Sequence, residues 1–485
     1  MVDATVLTLI DGVRVVVPDA LDLITPYVLR EQQDYFEDEL PFVRSFLTRG
    51  MKVIDIGANY GVYTLPMAQR VGPTGHVWAF EPASSTAEFL ARGVTENGFS
   101  QVTLEQKAVS GAPGSAQLSS HVHAELRSIS HDSSAPKGGE IVSLVTLDDC
   151  MDRYGWSAID FIKIDAEGEE SSIVRGGRRF FARLEPLVQY ELRKTAADMN
   201  FDLVREFAAI GYESYRLSPG LNLLVPFDLN TPSDHYLLNL FSCNAACAER
   251  LAARGILVRR QDLAAVEAAG KIGNESASKY HWRHALAPFA YAAPLQSTWT
   301  TAQETGTRAE LVGALSLYAR SRDEDLSMAV RFRALQSSFL QMSSICDRDS
   351  SSLRLASLAR IAHDYGARAA SVTALARLTE NIRRTGSVDT AEPFLAPLER
   401  FESVSPGEVL GSWILAATLE QLEKREAFST FYVGPRALDR LEAIDALGFG
   451  GPDMRRRLEL VRLRIEGARA AKTRPADAAG ANGSR

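Results

Sequence analysis

The chain has 485 residues, and 53 Lys and Arg against 61 Asp and Glu leave a formal net charge of −8. Hydrophobic and charged fractions of 46% and 24% are those of a globular chain of two or three domains, which excludes wholesale disorder and fibrous architectures. The acidic balance argues against a general nucleic-acid or membrane-surface binder, since both need a positive field, and four Cys cannot supply a disulfide framework.

At the N-terminus Asp3 stands where a signal peptide carries basic residues, so a cytoplasmic chain is expected. Residues 1–50 alternate short apolar runs around Asp11-Gly12 and then turn amphipathic, which predicts a hairpin followed by a helical cap. Over 51–235 short β-rich runs (KVIDIG, VWAFEP, VTLEQKAV, IDFIKID, LVQYEL, ESYRL) alternate with helical stretches, and LNLLV at 221–225 is the last strand expected. Strands joined by helical crossovers imply an α/β, Rossmann-like domain with a mainly parallel, seven-stranded sheet. The Ser-, Gly- and His-rich stretch 111–145 predicts extra strands or a loop at the sheet edge.

Beyond residue 235 the strand signal stops. FSCNAACAERLAARG reads as a helix with Cys243 and Cys247 buried on one face, and 236–309 as a linker and irregular packing segment. Its aromatics (Tyr280, Trp282, Tyr291, Trp299) read as core between domains rather than as a sugar-stacking surface. The run 285–295 is broken by Pro288 and Pro294 and is short of the roughly 20 apolar residues of a membrane span. Residues 310–465 predict an all-α domain open to a protein partner, and 466–485 a disordered tail without an apolar face.

Chemistry concentrates in two strand ends. Asp55-Ile56-Gly57-Ala58-Asn59-Tyr60-Gly61 closes a strand and opens a helix, a turn that brings backbone N–H groups against a ligand. Asn59 occupies a position where a left-handed backbone is expected, and Asn tolerates it. Glu81, 20 residues after Gly61, ends the next strand and is placed to accept hydrogen bonds from ribose hydroxyls. A dinucleotide fingerprint needs glycines at 57, 59 and 62, and Asn59 and Val62 break it, which counts against a nicotinamide-linked oxidoreductase.

The Asp-x-Gly-x-x-x-Gly form resembles the first motif of class I S-adenosylmethionine-dependent methyltransferases. DIGANYGVYTL, GHVWAFEP, KAVSG, VTLDDC, IDFIKIDAEGEESSIVRGGRRFF and LVQYEL, in this order, resemble the FkbM family of methyltransferases, with DLITPYVLREQQDYFEDELPFVR similar to its usual lead-in. The resemblance implies S-adenosyl-L-methionine as cofactor and O-methylation of a saccharide, polysaccharide or secondary metabolite. By motif position it implies that Asp55, Gly57, Asn59 and Gly61 hold the methionine part, with Tyr63 and Thr64 nearby, that Glu81 holds the ribose, and that Lys107 and Ala108 border the adenine.

The second strand end, Lys163-Ile164-Asp165-Ala166-Glu167-Gly168, lies where doubly wound sheets bind ligands, and the family's Lys-Ile-Asp-x-Glu-Gly motif maps onto it. Asp165 and Glu167 are the catalytic candidates, Asp165 as base and Glu167 as an orienting group or as its partner on a shared cation. Glu169 and Glu170 open the following helix and need no role beyond its dipole. Convergence of Asp165, Glu167 and Glu191 would suit a divalent cation such as Mg²⁺ or Ca²⁺, although the catechol-type pattern of Asp-x-Asp followed by Asp-Asn is absent. His121, His123 and His131 are alternative bases. A nucleoside-binding interaction protein without catalysis is the rival reading.

Overall fold

The computed structural model describes residues 3–119, 121, 123, 128–130, 139–193, 199–230, 234–270, 280–301 and 307–473. Strands β1 (Ala4–Thr8) and β2 (Arg14–Pro18) form the predicted hairpin. Asp11 accepts from the Val13 N–H at 3.1 Å while Gly12, at φ 82°, makes the turn. Helices Ile24–Gln32 and Glu39–Phe46 complete the cap.

The chain then enters β3 (Lys52–Ile56), β4 (His76–Phe80) and β5 (Val102–Glu105). A four-stranded side sheet follows: β6 (Ala108–Val109), β7 (Gly114–Leu118), β8 (Ile129–Ser130) and β9 (Glu140–Val145), in the order β6-β9-β7-β8. The main sheet resumes with β10 (Phe161–Ile164), β11 (Leu187–Glu191), β12 (Tyr212–Ser218), β13 (Leu223–Pro226) and β14 (Asn239–Asn244). Its order is β13-β12-β14-β11-β10-β3-β4-β5, and β5, β4, β3, β10 and β11 are mutually parallel.

Both faces of this sheet are covered. Val53 and Phe161 point to the layer holding Phe42, Phe46 and Leu65, whereas Ile54, Ile162 and Ile164 point to the layer holding Trp156, Phe180 and Phe181. The period of two along strands buried on both sides explains why they read as unbroken apolar runs. The order in which the chain adds strands to the sheet reverses between the parallel β3 and β10, so their carboxyl ends open a crevice there.

The structure corrects the sequence expectation in four places. The sheet has eight strands rather than seven, because Asn239–Asn244 pairs antiparallel between β11 and β12. A domain boundary at 235 therefore cuts the sheet. Cys243 lies on β14 and only Cys247 lies on the following helix, Ala245–Ala253, although both are buried as expected. The segment 236–309 is not a linker, since Trp282, Tyr291 and Trp299 are fully buried within the helical region's own core. Finally, helix Pro452–Thr473 runs into the stretch expected to be a disordered tail, of which 474–485 lie outside the described residues.

The helical region packs Thr307–Ser321, Met328–Arg348, Ser352–Tyr365, Arg368–Thr385 and Leu410–Glu426 against one another in succession. Its core takes in Leu221, Leu223 and Val225 from the sheet edge. Ser218 Oγ donates to the Asp364 carbonyl at 2.9 Å and Arg216 Nη1 to the Tyr365 carbonyl at 2.6 Å, so sheet and helices share one continuous interior. Among the described residues no helix is long and apolar enough to cross a membrane.

Candidate functional site

A cleft of about 590 Å³ opens over the carboxyl ends of β3, β4 and β10. At β3 the chain turns through Gly57 at φ 77°, Asn59 at φ 49° and Gly61 at φ 87°. A Cβ on Gly57 would lie 1.7 Å from the Asp165 carbonyl oxygen, so the two strand-end turns approach as closely as only glycine permits. Asn59 adopts the left-handed backbone expected of it. Asp55 is fully buried and its Oδ2 accepts from the Thr64 hydroxyl at 2.5 Å, whereas Oδ1 has no hydrogen-bond partner among the described residues. Burial raises the Asp55 carboxyl above its ordinary range, and nearby Lys163 opposes that shift.

Glu81, at the end of β4, accepts from the Asn59 N–H at 2.8 Å and the Ala83 N–H at 2.9 Å. It thereby ties the glycine-bearing turn to its own strand end. Lys107 and Ala108 line the same end of the cleft beside Val109 and Leu118.

At β10, Lys163 Nζ donates to Asp165 Oδ2 at 2.6 Å and sits 4.6 Å from the centroid of the Tyr63 ring. Burial pulls this ammonium down, but Asp165, Asp55 and Glu37 outweigh it, so the net shift is upward and Lys163 stays charged. Carboxyl oxygens of Asp165, Glu167 and Glu191 lie within 4.8 Å of one another. Burial, then the charge of Asp165, pushes Glu167 up to about 7, and burial with Asp165 and Glu167 pushes Glu191 to about 9. Glu167 occupies a left-handed backbone, φ 47°, and Arg193 Nη2 lies 3.5 Å from its carboxylate. Glu170 folds back to accept from the Ala166 and Gly168 N–H groups at 3.0 Å, which closes the turn.

The structure adds detail at three of the expected placements. The Thr64 hydroxyl is committed to Asp55 and Thr64 is absent from the cleft wall, so it supports the site from beneath. Tyr63 does line the cleft, but its hydroxyl donates to Glu37 Oε2 at 2.5 Å and accepts from Gln189 Nε2 at 3.1 Å, which makes it a brace for the carboxylate side. No histidine lines the cleft among the described residues; the His123 ring packs 5.8 Å from Phe431, and His131 lies outside them.

Other wall residues were not anticipated from the sequence. Tyr35, Phe36 and Glu37 come from the cap, Leu238 from the approach to β14, and Glu426, Ala427, Phe428 and Tyr432 from the helical region. The acidic-aromatic run Asp34-Tyr35-Phe36-Glu37-Asp38-Glu39 was the available signal for the first group. Nothing in the local sequence marks the last.

Residues 55–214 match the family model of the methyltransferase FkbM domain. A 71-residue stretch is 37% identical to the protein-L-isoaspartate O-methyltransferase of Methanosarcina mazei, covering 14% of this chain and 29% of that protein. The chain thus spans less than a third of that relative. The methyltransferase FkbM from Methylobacillus flagellatus aligns at 20% identity over 40% of this chain and 43% of its own, with a TM-score of 0.28. A SAM-dependent O-methyltransferase from Thermotoga maritima aligns at 14% identity over 50% and 77%, with a TM-score of 0.24.

Proposed function

We propose that this chain, whose residues 55–214 match the methyltransferase FkbM domain, moves a methyl group from S-adenosylmethionine to a hydroxyl of a saccharide or similar polyhydroxylated metabolite. The observation that carries this reading is the pairing of two chemically different ends in one cleft. One end offers the Glu81 carboxylate beside Lys107 and Ala108, and the other a carboxylate cluster built around Lys163.

The donor set suits the cofactor. Asp55, an anion with one carboxyl oxygen unpartnered, matches a cationic amine, and Glu81 at the neighbouring strand end matches the ribose hydroxyls. Lys107 and Ala108 would border the adenine. The cofactor, held there, would supply a methyl made electrophilic by its sulfonium, and the proton of the attacking acceptor hydroxyl would pass to a carboxylate of this chain. We assign that role to Glu167 rather than Asp165. A base held near pH 7 combines availability with driving force, while Asp165 is engaged by the Lys163 ammonium. Asp165 then serves to raise the basicity of Glu167.

A divalent cation bridging Asp165, Glu167 and Glu191 is a second reading, favoured by their convergence. The fixed Lys163 ammonium already balances part of this charge, so turnover is expected to survive a chelator. Release of S-adenosylhomocysteine in the presence of a panel of glycosides tests the reaction. Its loss in Glu167→Gln and persistence in chelator support the metal-free base, whereas loss in chelator with recovery on Mg²⁺ supports the cation.

A further inference from the structure

We propose that the segment Glu426–Tyr432, carried by the helical region, forms the acceptor-facing wall of the cleft and with Phe36 selects a hydroxylated ring that bears no negative charge. The proposal rests on the methyltransferase reading of the cleft and adds what the helical region does for it.

The segment is held in place, not draped. Helix Leu410–Glu426 ends at the cleft rim, and the chain turns through Phe428 at φ 54° before helix Thr430–Val433. A left-handed backbone is costly for a bulky aromatic and persists only where its surroundings enforce it. Here Gln32 Nε2 donates to the Phe428 carbonyl at 2.7 Å and the Thr430 N–H donates to the buried Glu31 Oε1 at 2.9 Å. The Arg368 guanidinium lies 3.8 Å from the centroid of the Phe428 ring. Arg425, just before the turn, grips both carboxyl oxygens of Asp38 at 2.8 and 2.9 Å. Every one of these restraints runs from the cap or from another helix, so the wall exists only when the whole chain is assembled.

Its position identifies which end of the cleft it serves. The Phe36 and Phe428 rings are 5.3 Å apart and Phe36 and Tyr432 6.3 Å apart. Phe36 immediately precedes Glu37, whose neighbours are Tyr63, Lys163 and Asp165. Through Phe36 the aromatic wall therefore stands next to the carboxylate cluster. Aromatic faces pack well on the C–H face of a saturated ring, and carboxylates accept hydrogen bonds from its hydroxyls. Among the described residues the cleft is lined by seven carboxyl groups, of which burial raises Glu191 to about 9 and so keeps it neutral, against two ammonium groups, those of Lys107 and Lys163. A uronate or phosphorylated ring would meet like charge at close range, which rejects it.

The test uses the full chain saturated with S-adenosylhomocysteine, itself measured by calorimetry. Methyl glycosides of neutral hexoses, of hexosamines and of uronic acids are then titrated by saturation-transfer NMR. Wild type should bind at least one neutral or amino glycoside and bind the matching uronate at least tenfold more weakly. Phe428→Ala should weaken the glycoside at least tenfold and leave S-adenosylhomocysteine within twofold, with binding restored in Phe428→Tyr. Tyr432→Ala, at a side chain that is half exposed and so safe for folding, should weaken the glycoside in the same direction. If wild type fails to bind S-adenosylhomocysteine, the methyltransferase reading falls and the proposal with it. If the cofactor product binds but no glycoside does, or uronates bind as well as neutral rings, or neither variant changes glycoside affinity, the proposal alone is overturned.

Discussion

Glu167 and Gly57 show how much a single residue decides here. With Glu167 near pH 7, turnover should rise with pH through about 7 as its carboxyl loses its proton. Glu167→Gln should lower kcat by about 10²–10⁴, the usual worth of a positioned base, with cofactor affinity unchanged. Asp165→Asn removes the charge that helps raise Glu167, so the acidic limb of the profile should move to lower pH; an unmoved limb would remove Asp165 from that role. Gly57→Ala places a methyl against the Asp165 carbonyl oxygen, so both turns must shift. Overpacking of this kind costs about 1–3 kcal/mol, and a lower melting temperature together with lost cofactor binding should follow. Sequence motifs singled out Asp55, Gly57, Glu81, Asp165 and Glu167, which the fold brings to one cleft. The division of labour proposed for them was not legible, because it rests on Lys163 reaching Asp165 and on burial that no linear pattern reports.

Among elements, β14 and the cap–helix contact are the instructive cases. NLFSCN sits beside AACAERLAA without a breaker, so strand and helix read as one helix; Asn244, whose side chain accepts from the Cys247 N–H at 2.9 Å, is the cap that separates them. The cap–helix contact carries a pH signature. Burial works against ionised Asp38, but Arg425 prevails and holds it at about 2, against an ordinary 3.8. Its contribution is therefore present above about pH 4 and lost as pH falls toward 2. Burial and then Arg425 lower His363 to about 4 from 6.5, so it is neutral in the fold and takes up a proton more readily when unfolded. That loss of stability runs from about pH 6.5 down to 4. The melting temperature should fall across this window, and His363→Gln should flatten the decline. An identical slope in the variant would show that other groups carry it.

For the whole molecule, the sheet and the helical region form one unit. Ending the chain near residue 232, as the expected last strand at 221–225 suggested, would delete β14 from the interior of the sheet and uncover Leu221, Leu223 and Val225. Such a truncation should be insoluble or lack a cooperative melt, while the full chain should unfold in a single transition; a folded, cofactor-binding fragment would contradict this. The doubly wound class was legible because parallel strands and crossover helices repeat locally. The return of residues 426–432 to a cleft otherwise lined by residues between 24 and 238 was not, since no local pattern encodes a contact hundreds of residues away. The central assignment, a cofactor site at the ends of β3 and β4, is tested most directly by calorimetric titration of S-adenosylmethionine into wild type and Glu81→Ala. Saturable binding by wild type, weakened about ten- to a hundredfold by loss of the charged hydrogen bonds, is the expected result. No binding by wild type, or equal affinity in the two proteins, would contradict it.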